Sequence, residues 1–442
     1  MLEDQEEKKG KSDFYHGAPP KSKALLVSVY KGNVEKGLCE EHLRELELLS
    51  ETFGVEVAAK VPCAIRKYDA AHFVTEGKLR ELKDLATEIK ADMIIFDDEI
   101  SPAQQRNLET SFGIPVVDRT GVILEVFAQR AQTKEARLQI ELARVKYQAP
   151  RLKKLWSHLS RQAGSGGGSG GGAYLKGEGE KQIEIDRRLL KDQIDLLQKE
   201  IKEVRAYRET QRSARVRAEI PVFAIIGYTN AGKSTLLNAL TDSDVFVEDK
   251  LFATLDTTTR KFALSNNQEI LLIDTVGFIR KLPHLLVAAF KSTLEEALQA
   301  DILLHLVDVS HHMVEEQSKT TYEVLKELSA GEKPIITVLN KVDQCPDKSV
   351  ITRMRLQYPK TVEISALNKT GFDVLQDMMI EELMRRRTVV TLYIPQSDYA
   401  LVSEVMRVGN IIHQDYEDND VILKVALPPA MIAKVQKYVV ES

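Results

Sequence analysis

The octapeptide GYTNAGKS, residues 227–234, constrains this 442-residue chain more than any other stretch. It follows the apolar run PVFAIIG (221–227) and precedes STLLNAL (234–240), whose apolar residues recur at helical spacing. A strand that turns through Gly227 and Gly232 into a helix, with Lys-Ser at the turn, fits the GxxxxGK[ST] pattern of a phosphate-binding loop. The glycines let backbone amides approach phosphates at the helix N-terminus. Lys233 is then placed to reach the β- and γ-phosphates, and the Ser234 hydroxyl to reach Mg²⁺. Such a loop implies a parallel α/β sheet that holds its ligand at the C-terminal ends of the strands.

Three more segments follow in order, each closing an apolar run. ILLIDTVG (270–277) sets Asp274 at a strand end, where it can hold Mg²⁺ through water. Thr275 and Val276 lead to Gly277, whose amide can meet the γ-phosphate. VLNKVD (338–343) brings Asn340 and Lys341 to brace the loop and cover the base, then Val342 and Asp343. The Asp343 carboxylate can accept from guanine N1 and its exocyclic amine, which adenine does not offer. ISAL (364–367) supplies the backbone of Ser365, Ala366 and Leu367 to read the guanine O6. Together these loops describe a guanine-nucleotide site, with Tyr228, Thr229, Asn230, Ala231 and Thr235 completing its phosphate end. A switch segment, LFATLDTTTR (251–260), offers Thr254, Thr257, Thr258 and Thr259 as Mg²⁺ ligands. FATL resembles the FTTL segment of the Obg-type GTPases, which favours Thr254, flanked by Phe252, Ala253, Leu255 and Asp256.

Phe278 stands where well-studied small GTPases carry the glutamine that orients the attacking water, and a phenyl ring cannot do that. A hydrophobic residue there, with asparagine in GxxNxGK[ST], resembles one large GTPase class. In that class the asparagine oxygen can coordinate potassium beside the β- and γ-phosphates. Asn230 therefore has two readings, a K⁺ ligand or a residue that tolerates a tight turn. Lys233, Thr254, Gly277 and Asn230 are the catalytic candidates, and the expectation is slow intrinsic turnover that a partner stimulates.

Length implies several domains. The polar N-terminus reads as a disordered tail over 1–22. Residues 23–118 alternate apolar strands with helical runs, so a small parallel sheet is expected. From Arg119 to Tyr147 the pattern is one long helix, broken at Gln148-Ala149-Pro150. Leu190, Ile194, Leu197, Ile201 and Val204 then repeat at 4-3-4-3 spacing, a heptad seam. Residues 119–218 thus read as a helical hairpin with the glycine-rich loop 161–180 at its tip. That loop is a plain linker, an engineered scar or a mobile element that faces phosphates. The nucleotide domain spans 219–387, and 388–442 reads as a small α+β module in the order βαββα.

Net charge is −5, yet residues 144–188 hold ten Lys/Arg against four Asp/Glu, so +6 lies there and −11 elsewhere. A positive stripe on an acidic chain suits one anionic docking face, and equally a solvated helical face. Cys39, Cys63 and Cys345 are too far apart for a disulfide framework or zinc site and read as reduced thiols in a cytoplasm. No apolar run approaches the roughly 18 residues of a membrane helix.

The whole pattern resembles the HflX family of translation-associated GTPases from about Lys23 to Arg387. The resemblance rests on FDDEISPAQQRNLE, VVDRTGVILEVFAQRAQT, LQIELARVKYQAPRL, WSHLSRQ and GEGEKQIEIDRR. GYTNAGKSTLLNALT, LFATLDTTTR, DTVGFIRKLPHLLVAAFKSTLEEALQAD and LVDVS match within the nucleotide domain. It implies a GTPase, with weaker ATP use, that binds rRNA of the large (50S) ribosomal subunit and rescues or splits ribosomes under stress. The tip loop would reach toward the peptidyl-transferase centre, though KGEGE replaces the usual RGPGE, with Lys176 and Glu178. The alternative is a GTP-dependent binding module in which hydrolysis only times release. The family's N-terminal domain has been credited with a second nucleotide site, but no phosphate loop occurs there. The protein is expected to be a monomer without a membrane span. Its expected place is the cytoplasm, on ribosomes or peripherally at a membrane.

Overall fold

The computed structural model describes residues 22–32, 35–152, 185, 188–206, 220–241, 251–252, 257–281, 299–328, 333–385, 387–417 and 419–440. The tail, the glycine-rich loop and switch residues 253–256, including Thr254, lie outside these residues. The chain divides into two compact units, Met1–Gln129 with Pro150–Leu155, and Arg130–Ala149 with Trp156–Ser442.

In the first unit, β1 (Lys23–Tyr30), β2 (Glu56–Ala64), β3 (Met93–Phe96) and β4 (Val116–Asp118) form an all-parallel sheet, order β2-β1-β3-β4. Parallel neighbours need crossovers, supplied by the helices Glu35–Phe53, Glu76–Glu88 and Pro102–Phe112. Ala24, Leu25, Leu26 and Val27 are all fully buried, so both faces of β1 are covered, which is why the strand reads as a continuous apolar run. The third helix starts at a capping box: Ser101 accepts from the Gln104 amide, and the Gln104 side chain accepts from the Ser101 amide.

The expected single helix from Arg119 is in fact two, Arg119–Arg130 and Lys134–Leu152. Thr133 caps the second, its hydroxyl accepting from the Ala136 amide at 3.2 Å. A threonine cap satisfies amides that a continuous helix would have bonded elsewhere. The second helix runs through the expected break and holds Pro150 inside its last turn.

In the second unit, residues 188–206 are helical, and Gln193 donates to Glu141 on the Lys134–Leu152 helix at 3.4 Å. Leu197 and Ile201 of the heptad seam are buried, whereas Leu189 and Leu196 beside it are exposed. The nucleotide sheet contains β5 (Val222–Gly227), β6 (Thr258–Ala263), β7 (Glu269–Asp274), β8 (Ile302–Asp308), β9 (Ile335–Asn340) and β10 (Thr361–Glu363). Their order is β10-β9-β8-β5-β7-β6, parallel except for β6, which runs antiparallel to β7 at the edge. The helices Lys233–Thr241 and Phe372–Arg385 contribute Leu236, Leu237, Leu375 and Met379 to one core with β5, β7 and β8. Val314, Ile351, Met354 and Tyr358 build a second cluster with Val307 and Leu339.

The C-terminal module pairs β11 (Thr388–Pro395), β12 (Asn410–Glu417), β13 (Asp420–Leu427) and β14 (Val439–Val440) in the order β12-β13-β11-β14, all antiparallel. The short β14 adds a strand to the expected βαββα order. Among the described residues, no helix is long and apolar enough to cross a membrane.

Candidate active site

The sheet order places β5 centrally, so the loops after β5, β7 and β9 open along one rim. The first loop turns tightly: Asn230 has φ 60° and Gly232 φ 94°. A side chain at residue 232 would collide with the Asn340 carboxamide, so the glycine is required by close approach. Lys233 opens the following helix almost wholly buried, and its ammonium donates to the Tyr228 carbonyl at 2.7 Å. Burial pushes this lysine down to about 8, a shift that the nearby Asp274 carboxylate opposes. Ser234 Oγ donates to Asp274 Oδ2 at 2.6 Å, joining two of the three expected Mg²⁺ ligands. Thr235 follows in the first helical turn, partly exposed.

Asp274 ends β7 fully buried, and Thr275 donates to the Ile225 carbonyl at 2.7 Å. Val276 is buried, and Gly277 lies so close to the first loop that an added Cβ would sit 2.8 Å from Thr229 Cα and 2.9 Å from Lys233 Nζ. Phe278 is only 2% exposed, its ring in the core, while its backbone bridges to the first loop. The Thr229 amide donates to the Phe278 carbonyl at 2.8 Å, and the Phe278 amide to the Gly227 carbonyl at 3.0 Å. Thr258 and Thr259 sit in β6, opposite Asp274 and Ile273, so two of the four switch threonines are strand residues. Phe252 is buried.

On the base side Asn340 bridges two loops: its Nδ2 donates to the Ala231 carbonyl and its Oδ1 accepts from the Ala366 amide, both at 2.9 Å. Lys341 donates to the Asn230 carbonyl at 3.0 Å and pairs with Asp308 at 2.7 Å. Asp308 was not singled out from the sequence, although LVDVS places it at a strand end. The Val342 amide donates to the Ile364 carbonyl at 3.4 Å, and Ser365 Oγ accepts from the Asn368 amide at 3.2 Å. Asp343 and Leu367 are exposed. With Asn340 and Lys341 engaged in bracing, the exposed Asp343 carboxylate is left to meet a ligand.

The donor set fits a magnesium nucleotide: hard hydroxyl and carboxylate oxygens beside a buried ammonium and a backbone-lined turn. These elements can hold phosphates and order a nearby cation, and the exposed carboxylate can select a base with adjacent N–H donors.

Comparison with known proteins matches the sequence of this site to GTPases. Residues 40–128 match the family model "GTP-binding GTPase N-terminal", 130–215 the "GTP-binding GTPase Middle Region", and 222–341 the "50S ribosome-binding GTPase". The chain is similar to GTPase HflX of Chlamydia pneumoniae, 45% identical over 419 residues, 95% of this chain and 88% of that protein. It is similar also to GTPase HflX of Escherichia coli strain K12, 40% identical over 408 residues, 92% of this chain and 93% of that protein. A crystal structure of an SsGBP–GDP complex is 25% identical, covering 81% of this chain and 98% of that one, with a TM-score of 0.47. Long relatives matched almost end to end, together with three consecutive family models, settle the relationship: the chain belongs to the HflX family of GTPases.

Proposed function

We propose that this GTPase works on the large ribosomal subunit, where GTP hydrolysis is coupled to rescuing or splitting stalled ribosomes. The observation that carries the reading is the rim on which Lys233, Asp274 and Asn340 converge, within a segment similar to a 50S ribosome-binding GTPase model. The positively charged stretch 144–188, with the glycine-rich residues 161–180 inside it, is the part of the sequence that would bind rRNA.

In this reading the backbone of residues 227–232 cradles the phosphates and Lys233 takes the β/γ bridge. Ser234, Thr254 and Asp274 would hold Mg²⁺, which would supply positive charge to the transferred phosphoryl group. Gly277 contributes its amide to the γ-phosphate. Asn230 would supply a side-chain oxygen to K⁺, whose charge would assist phosphoryl transfer; its φ of 60° fits the tight-turn reading as well. Asp343 reads guanine, and the 365–367 backbone reads its O6. Phe278 is buried and has no polar atom to orient the water, so in this reading the ribosome completes the water-positioning arrangement.

Steady-state GTP hydrolysis in potassium buffer, with and without purified large subunits, tests this. A slow basal rate that rises about tenfold or more is expected, by analogy with partner-completed GTPases. An unchanged rate would remove the ribosomal reading. Sodium in place of potassium should lower the stimulated rate if Asn230 holds the ion.

A further inference from the structure

The loop after Asp274 is tied down more tightly than phosphate contact alone demands. β5 and β7 pair in parallel as far as Ile225 and Asp274, separate, and pair again at Tyr228 and Phe278. Three residues advance on one side and four on the other, so Thr275-Val276-Gly277 forms a bulge closed at both ends. Thr275 fixes its start through the Ile225 carbonyl, and the paired amides of Thr229 and Phe278 fix its end. One further bond lies beyond: the Arg280 amide donates to the Tyr228 hydroxyl oxygen at 2.8 Å.

We propose that the Tyr228 hydroxyl is a positioning group for the GTPase reaction. By holding the backbone at Arg280 it keeps Gly277 pressed on the phosphate loop, and so sets the preference for triphosphate over diphosphate. The ring alone does not explain a tyrosine here. Tyr228 is 7% exposed, and a phenyl group would fill the same space without a polar atom to satisfy. One partner of the oxygen is a main-chain amide two residues past Phe278, and that bond fixes the path of the loop. That path has little slack, because Thr229 and Lys233 Nζ both lie within 3 Å of where a Cβ on residue 277 would sit. Phe278 and Ile279, 2% and 1% exposed, anchor the same segment from the core side. A fixed backbone beside the lysine ammonium is then the feature that distinguishes a γ-phosphate from its absence.

The inference rests on the reading of Gly277 as the γ-phosphate contact, and the test separates the two. Full-length Tyr228→Phe, Gly277→Ala and the unaltered protein are titrated with fluorescent GDP and with a non-hydrolysable GTP analogue. Gly277→Ala should lose more affinity for the analogue than for GDP, some loss for both being expected because its Cβ would press on Thr229 and Lys233. Tyr228→Phe should lose about three- to tenfold more affinity for the analogue than for GDP, the worth of one hydrogen bond. If Gly277→Ala is selective while Tyr228→Phe changes both affinities equally, or neither, the positioning role is overturned and the Gly277 contact stands. If Gly277→Ala leaves the analogue-to-GDP ratio unchanged, the contact and the proposal fail together. Hydrogen exchange at the Arg280 amide gives a readout without substitution. Slower exchange with the analogue than with GDP supports the proposal, and equal exchange overturns it.

Discussion

The parallel sheets of the two units finish their strands in opposite ways. At the ends of β3 and β4 in the first unit, Asp97 and Asp118 are each taken by an arginine. Arg119, 2% exposed, binds Asp97 at 2.9 Å and Glu45 at 2.6 Å, and Arg151 binds Asp118 at 3.0 Å. The second unit buries a cation just as deeply, but its Lys233 bonds a neutral carbonyl. Desolvation, only partly offset by Asp274, pushes it down to about 8. One rim is filled with ion pairs of its own, and the other holds an ammonium that burial has left under-compensated beside a backbone-lined turn. The lesson is that the same architecture becomes packing or binding site according to whether its buried charges are already neutralised.

The sharpest way to break that contrast is to remove both cations in turn. Lys233→Ala should lower GTP affinity at least about a hundredfold, since it truncates a buried charge partner of phosphate. It should lower the stability of the nucleotide-free protein less than Arg119→Ala does, because burial disfavours that ammonium. Arg119→Ala should do the reverse. Stranding Asp97 costs roughly 3–5 kcal/mol in the first unit, read by denaturant unfolding, with GTP affinity unchanged. A loss of GTP affinity in Arg119→Ala would show that the first rim is not mere packing.

Much of the nucleotide rim was legible in the sequence because its chemistry is local. GYTNAGKS, DTVG, NKVD and SAL each announce a strand end through a few residue types at fixed spacing. What was not legible arises across loops or against weak signals. The helix break before Lys134 hangs on one capping threonine, with helical periodicity continuing on both sides. β6, TTRKFA, is a half-exposed edge strand held by pairing with β7 and lacks the apolar run that marked its neighbours. The Lys341–Asp308 pair and the Tyr228–Arg280 contact join residues 33 and 52 positions apart. Phe278 was legible as the absence of a glutamine, but its burial was not.

That burial supplies a smaller test. Phe278→Gln places an amide where the ring is 2% exposed, and should destabilise the second unit by about 1–3 kcal/mol. Hydrolysis should not rise, and a rise would mean the side chain can reach the phosphate side. The smallest effect concerns acid. His305, packed edge-on to Tyr322 at 5.0 Å, is pushed by burial down to about 3. The unfolded chain binds that proton near the ordinary histidine value of about 6.5, so stability is complete above it. As pH falls from there towards 3 the second unit should lose up to about 1.4 kcal/mol per pH unit from this group. His305→Phe should remove that part of the slope, measured by chemical unfolding at pH 7 and pH 5.5.

The most direct test of the second rim as a guanine-nucleotide site is the base selectivity of Asp343→Asn. A carboxylate accepts from the two adjacent N–H donors of guanine, whereas an amide donates to the C2 carbonyl of xanthine. Equilibrium titration should show GTP affinity falling about a hundredfold or more while XTP gains what GTP loses. An Asp343→Asn protein that binds GTP as before, with no gain for XTP, would contradict the assignment of this rim.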